Sequence, residues 1–526
     1  LWAMHAATEA TRYELDRARE ILDQLDEISP GTERGYLLAG WALSERRQYG
    51  QSAEFLEEAM RRQPNSPEAA ILLGLLELQS GRDLNALTAL RRVAELDPFN
   101  ARANNSLELL EELVGYETFE SEHFVVRYKP GIDEILAREM LAPLEKAHAR
   151  ITGNVNGGID HVPAQKTVIE LMPNHAWFAV RIAGMPQIHT IAASTGPVIA
   201  MEVPREGPGH KVGVYDWRRV IAHEYVHTVT LSRTKNRLPH WFTEAAAQYL
   251  EDAPRDEQTC RLLALKVQQD ELFDMSTINI MFTRPRTPTD RQQAYAQGHL
   301  MYEYMIERFG DEAPLRLMDA YAQGRSEDEA MPSELGVTSE QFLDEFRAWA
   351  MEKVVAWGLS DDNEKARSVE AGIKLLMSTG EWEMNEVTAG LLHEWATMVP
   401  VAEEPHRLLA RHYLKQEDAE SQAKATEHLE FLDARAQYTP AYAAALGKRY
   451  AESGEKELAF IKAERAVSIA PYDADQRELA ARVALVAGKY TEAERHLDAL
   501  TKIEPDYKLH EFRLKRVREI NALRGE

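Results

Sequence analysis

Cysteine is almost absent. Cys260 stands alone among 526 residues, so neither an intrachain disulfide nor a cysteine-built metal knuckle can form. Long apolar runs are missing as well: no stretch approaches 18 uninterrupted apolar residues, and no transmembrane helix is expected. Positive charge is scarce beside negative, with 61 Lys+Arg against 86 Asp+Glu and a formal net charge of −25. Nucleic acids and anionic membranes both need a basic footprint, so neither is an expected partner. The acidic excess is spread along the chain and reads as a solvated surface. An initiating methionine is lacking too; the chain begins at Leu1, which fits either a removed leader or a trimmed sequence. What remains is the make-up of an ordinary globular protein, 44% hydrophobic and 28% charged. It is too long for one core, and two to four domains are expected.

A fixed period organises both ends. Pro30, Pro64 and Pro98 are spaced by 34, as are Gly40 and Gly74. Each block holds two amphipathic helices, a turn near Gly50 or Gly81, and a terminating proline, with small residues such as Ala53 and Ala86 where paired helices approach. Towards the C-terminus the spacing of 34 returns at Gly454 and Gly488 and at Pro471 and Pro505, with a looser unit around 400–438. This pattern resembles the tetratricopeptide repeat. Such units stack into a solenoid with a concave groove. The groove is read as a surface for a peptide or a protein partner, and the plainer alternative is a spacer that positions the middle of the chain.

The middle, 118–355, breaks the period. "EHFVVRYKP" alternates like a strand with Phe124, Val126 and Tyr128 on one face. "ILAREMLAPLEKAHARI" reads as an amphipathic helix, "KTVIELMP" and "GPVIAMEVP" as strands, and 216–231, 240–252, 292–309 and 313–323 as helices. Strands first and helices later predict an α+β domain, flanked by all-α repeat segments at 1–117 and 356–526.

The chemistry concentrates in "DWRRVIAHEYVHTVTLSRTKNRLPHWFTEAAAQYLED". His223 and His227 are four apart, so on a helix both imidazoles lie on one face and can reach one ion. Neutral imidazole is a good zinc ligand. Glu224, about 100° round the helix from His223, can touch a water at the metal without ligating it, the place of a general base. Asp216 is a plausible N-cap, and Trp217, Val220 and Ile221 give the helix a buried face. An HExxH string arises by chance in roughly one chain in twenty of this kind, so context decides. A catalytic zinc needs a third protein ligand and an open fourth position. Glu244 follows 17 residues after His227, in a new helix that begins after Pro239.

This arrangement resembles the gluzincin peptidases, in which a glutamate on the next helix completes the site. "P-H-W-F-T-E-A-A-A-Q-Y" is similar to the Pro-x-Trp-x-x-Glu-Gly-x-Ala-x-Tyr signature of MA-clan peptidase-like domains found beside tetratricopeptide repeats, with Ala245 where glycine is usual. "ESEHFVVRY", "AYAQGHLMYEYMIERFGDEAPLRLMDAYAQG" and "FLDEFRAWA" resemble that family's opening strand, late helix pair and closing helix. The resemblance implies a thermolysin-like fold, one catalytic Zn2+ held by His223, His227 and Glu244, Glu224 as base, and hydrolysis of peptide bonds in proteins or peptides. It also implies a Tyr or His from a later helix to support the oxyanion. Tyr295 matches the family's Tyr-Ala start and is favoured over His299, one turn on. No amine-binding Gly-x-Met-x-Asn-type segment is present, so an endopeptidase is preferred to an aminopeptidase. Relatives of this kind are often exported by bacteria, so a periplasmic or secreted location is expected over a cytoplasmic one.

Around this centre the remaining readings are smaller. Gln248, four residues after Glu244, is a candidate acceptor for a ligand histidine's second N–H. Gly196–Val203 is expected to form an edge strand that pairs with the substrate backbone. His175, His189, His210 and His240 have no ligand spacing, and solvent exposure is the expectation for His240. Arg218 and Arg219 read as a solvated helix face, and Cys260 as a small buried apolar residue. The rival to the peptidase is a repeat scaffold carrying a catalytically silent zinc domain.

Overall fold

Helices dominate the architecture because the apolar residues recur at helical spacing over most of the chain. A computed structural model describes residues 1–154, 157–251 and 253–524. The first seven helices run from Trp2–Thr11 to Ala101–Leu113. The 34-residue spacing marks close helix approaches: a Cβ on Gly40 would lie 2.7 Å from Leu56 Cγ, and one on Gly74 2.6 Å from Leu90 Cγ. Glycine is therefore the residue that lets these helix pairs touch. Gly81 makes its turn at φ +78°. Gly50 does not; it lies inside the helix Tyr49–Arg62, and the preceding turn is made by Arg47 at φ 52°.

One five-stranded sheet interrupts the helices. Its strands are β1 (Glu117–Glu120), β2 (Phe124–Tyr128), β3 (Thr167–Met172), β4 (Ala192–Ser194) and β5 (Val198–Glu202), in the order β1-β2-β3-β5-β4. β2, β3 and β5 run parallel, and β1 and β4 are antiparallel borders. On one face, Phe124, Val126, Ile169, Leu171, Ile199 and Met201 pack against the helices Glu134–Thr152 and Trp217–Arg233. On the other, Met172 and Ala200 meet Leu109, Leu113 and Phe178.

This corrects the expectation for Gly196–Val203. β5 pairs with β3 on one side and β4 on the other, and all five of its residues are buried. An unbroken apolar run is what a strand covered on both faces requires. The edge belongs to the short β4, whose small residues give little sequence signal.

Past residue 356 the chain is helical throughout the described residues, ending with the pairs Ala441–Glu452 with Lys456–Ile469 and Ala474–Val486 with Tyr490–Ile503, then Leu509–Arg524. The two ends of the chain grip the middle. Arg127 Nη1 reaches Asp83 at 2.8 Å, and the Tyr49 hydroxyl donates to Thr195 O at 2.6 Å. Arg477 forms a two-pronged pair with Glu139, and Tyr472 donates to Asp133 at 3.0 Å. No helix among the described residues is long and apolar enough to cross a membrane.

Candidate metal centre

Two helices meet at the centre. Trp217–Arg233 is anchored by buried Trp217, Ile221, Tyr225, Val226 and Val229, a heptad-like stripe that leaves His223 and His227 on its cleft face. His240–Leu250 follows Pro239, with Trp241, Phe242, Ala245 and Ala246 buried and Glu244 turned towards the histidines. The three ligand-type atoms form a triangle: His223 Nε2 to His227 Nε2 is 3.1 Å, and each lies 3.4 Å from Glu244 Oε2. Tetrahedral zinc with bonds of about 2.0–2.1 Å has ligand edges of about 3.3 Å, so the triangle fits one face of such a site. Glu244 Oε2 is buried and takes part in no hydrogen bond, an orphaned anionic oxygen of the kind an ion would satisfy. His223, His227 and Glu244 could hold a metal ion.

The opposite ring nitrogens are taken. His223 Nδ1 lies 2.7 Å from Glu251 Oε1, and His227 Nδ1 lies 2.8 Å from Thr243 Oγ1. Thr243 in turn meets the Thr230 hydroxyl at 2.8 Å, which donates to Val226 O at 2.9 Å. With every hydroxyl proton pointing along that chain, both imidazoles keep a hydrogen on Nδ1 and offer Nε2. Gln248 lines the cleft, but Glu251 and Thr243 are the partners of the two rings. Glu251 sits seven residues after Glu244, two turns along the same face, a spacing that could have singled it out.

Electrostatics bind the cluster. Burial opposes charge on His223, but Glu244 and Glu251 outweigh it and hold its pKa well above the ordinary range, a demand for positive charge at Nε2 that an ion would meet in place of the proton. Burial would raise Glu244; the imidazoles of His227 and His223 prevail and hold it well below. Glu224, also buried, is raised chiefly by desolvation, against the lowering effect of His227 and His223.

These groups line a cleft of about 610 Å³ together with Tyr295, His240, Phe282 and residues 188–194. Burial, with Glu244 and Glu224, pushes the Tyr295 hydroxyl well up. His299 lines an adjoining cavity instead, where burial lowers its pKa to about 3. Ile191 and Thr195 direct main-chain bonds towards β5, so Ala192 and Ser194 turn theirs outwards on the cleft side. Arg47 from the N-terminal helices and Gln437 and Tyr438 from the C-terminal ones complete the wall.

Several expectations change. His240 faces the cleft, its Nε2 3.4 Å from Glu244 Oε1. Arg219 donates to Glu251, and Arg218 Nη2 lies 3.5 Å from Glu464 Oε2, so neither belongs to a merely solvated face. Asp216 precedes its helix but its side chain caps nothing; it pairs with Arg465 Nη1 at 2.9 Å. His175 and His210 converge on Glu202, at 2.9 and 3.0 Å. Cys260 is buried, with its thiol pushed up to about 12 by desolvation.

Comparison with known proteins adds one family likeness. The model of the Peptidase MA superfamily matches residues 209–352, the stretch that carries the cluster and Tyr295. No curated protein matches the chain. Among solved structures, the chain is similar to one in the structure of Naa15/Naa10 bound to HypK-THB, at 11% identity and a TM-score of 0.18, covering 99% of this chain and 66% of that one. It is also similar to one in the APC/C hetero-tetramer Cut9-Hcn1, at 12% identity and a TM-score of 0.23, covering 98% and 95%. Likenesses at such TM-scores carry no weight for the fold, which rests on the helices and strands themselves.

Proposed function

We propose that the protein is a zinc-dependent metallopeptidase of the gluzincin type, cutting peptide bonds in protein or peptide substrates, with helical repeats at 1–117 and 356–526 flanking a catalytic domain at 118–355. The observation that carries this reading is the His223–His227–Glu244 triangle with edges of 3.1, 3.4 and 3.4 Å, open on its cleft side. A zinc ion held there would supply Lewis acidity to the scissile carbonyl and make the attacking water more acidic.

The chain's own groups do the rest. Glu224, raised in pKa by burial, takes the proton of the attacking water and passes it to the leaving amine. The Tyr295 hydroxyl, kept protonated by its surroundings, donates to the developing oxyanion; His299, in the adjoining cavity, is the weaker choice for that role. The outward main-chain groups of Ala192 and Ser194 pair with an extended substrate as an added strand. Both repeat segments contribute to the cleft wall, through Arg47 and through Gln437 and Tyr438. This supports a role for the repeats in presenting substrate at the site.

A denatured protein substrate tests the reading. Wild type cleaves it and chelator stops cleavage. Glu224→Gln lowers the rate by about 10²–10⁴-fold while the fold is kept. A Glu224→Gln rate equal to wild type would remove Glu224 as the base, and a wild type that cleaves nothing would leave the repeats, as a scaffold, to carry the function.

A further inference from the structure

A second cavity, of about 650 Å³, opens beside the metal cleft. His189, Arg219, Gln248, Arg291, Tyr295 and Gln437 wall both spaces, so a substrate lying in the cleft can reach into it. Three guanidinium groups face this cavity from separate elements. Arg219 stands one turn before His223, Arg255 lies in the loop after the Glu244 helix, and Arg291 stands one turn before Tyr295 in the helix Asp290–Phe309.

Two of them already have partners. Arg219 donates to Glu251, and Arg255 Nη2 reaches Glu303 Oε2 at 2.6 Å. Asp256 also lines the cavity, but its oxygens accept from the amide and hydroxyl of Thr259 at 2.8 and 2.9 Å. Arg291 differs. Its Nε donates to Phe282 O at 2.8 Å, which fixes the planar group, and among the described residues no carboxylate pairs with it. Across the same cavity, Arg255 Nε is buried without a hydrogen-bond partner. A fixed, uncompensated guanidinium is a planar fork of donors that matches a carboxylate. In a chain of net charge −25, its place is one where negative charge has to be received rather than repelled.

We propose that this cavity is a specificity pocket in which Arg291 receives a substrate carboxylate, so that peptides with an acidic group next to the cut bond are preferred. The proposal rests on the peptidase reading. The carboxylate has two sources, an Asp or Glu side chain or the free end of a peptide.

The test uses the full chain loaded with zinc and fluorescence-quenched peptides of one sequence carrying Glu, Gln or Lys beside the bond, each with a free or an amidated C-terminus. Glu exceeds Gln in kcat/KM by at least about tenfold, mainly through KM, as one charged hydrogen-bonded pair allows. Arg291→Gln brings that ratio close to one, and Arg291→Lys restores part of it. A preference that follows the free C-terminus instead assigns the carboxylate to the chain end. Equal values for Glu and Gln, and for free and amidated ends, overturn the proposal. The same peptides with a reduced, uncleavable bond are titrated by fluorescence anisotropy. If nothing is cleaved but the acidic peptide still binds about tenfold tighter in an Arg291-dependent way, the pocket stands and the peptidase reading falls. Should Arg291→Gln fail to fold, Arg291→Lys and the wild-type Glu/Gln ratio decide the matter.

Discussion

Glu251 Oε1 lies 2.7 Å from Nδ1 of His223, and the other oxygen of the same carboxylate takes Nε of Arg219, one helical turn before that histidine. A single buried carboxylate thus fixes both the tautomer and the tilt of one ring of the candidate centre. Replacing Glu251 by Ala frees the ring and leaves Arg219 unpaired. Metal affinity falls about 10–100-fold, read by competition with a fluorescent chelator. Thr243→Val does the same to His227, and the double variant is weaker than either. Unchanged affinity in Glu251→Ala would mean that the ring is held by its packing alone.

The pair of Arg477 with Glu139 joins the last repeats to the sheet-bearing segment. Arg477 is fully enclosed and Glu139 nearly so. Burial would raise the Glu139 carboxyl, but Arg477 and Arg495 hold it below its ordinary value. Arg477→Met leaves that carboxylate only the more distant Arg495, at 3.8 Å, and destabilises the docked arrangement by up to about 3–5 kcal/mol. Urea unfolding followed by limited proteolysis reads this as earlier release of the C-terminal helices. The double change with Glu139→Leu recovers much of the loss.

Acid weakens the C-terminal helices through two histidines. His406 and His428 face each other, Nδ1 to Nδ1, at 3.0 Å. Burial lowers both to about 4; His428, Arg435 and His393 add to the effect on His406, and His393 to that on His428. Between pH 6.5 and about 4 the unfolded chain binds these protons and the folded chain does not. Stability is therefore present above pH 6.5 and declines as the pH falls towards 4, by on the order of 1 kcal/mol per ring once solvent screening is allowed for. Thermal unfolding across that range shows the slope, and His428→Asn reduces it.

Adding one methyl at a helix crossing tests the repeat packing. A Cβ at Gly74 meets Leu90 Cγ at 2.6 Å and its Cδ2 at 2.7 Å, so Gly74→Ala forces the pair apart and destabilises by about 1–3 kcal/mol. Gly372→Ala, where a Cβ meets nothing within 4 Å, is neutral or slightly stabilising by the same thermal measurement.

Local spacing is what made parts of the fold and of the candidate site legible in the sequence. His223, His227 and Glu244 are one helical turn and one helix apart, and β2 alternates buried and half-buried residues along its length. What escaped was decided at long range. β5 has the apolar run of an interior strand, whereas β4, which borders the cleft, has three small residues and no pattern to read. Asp216 carries the mark of an N-cap, yet Arg465, 249 residues on, claims its side chain. Arg47 and Gln437 reach the cleft only because the helical ends fold back onto the middle.

Metal content of the purified full chain, determined by mass spectrometry for wild type, Glu224→Gln and His223→Ala, tests the central claim most directly. The account predicts about one zinc per chain in wild type and in Glu224→Gln, and loss of it in His223→Ala. Wild type that takes up no zinc when the ion is supplied, or His223→Ala that keeps it, would contradict the assignment of this triangle as a metal centre.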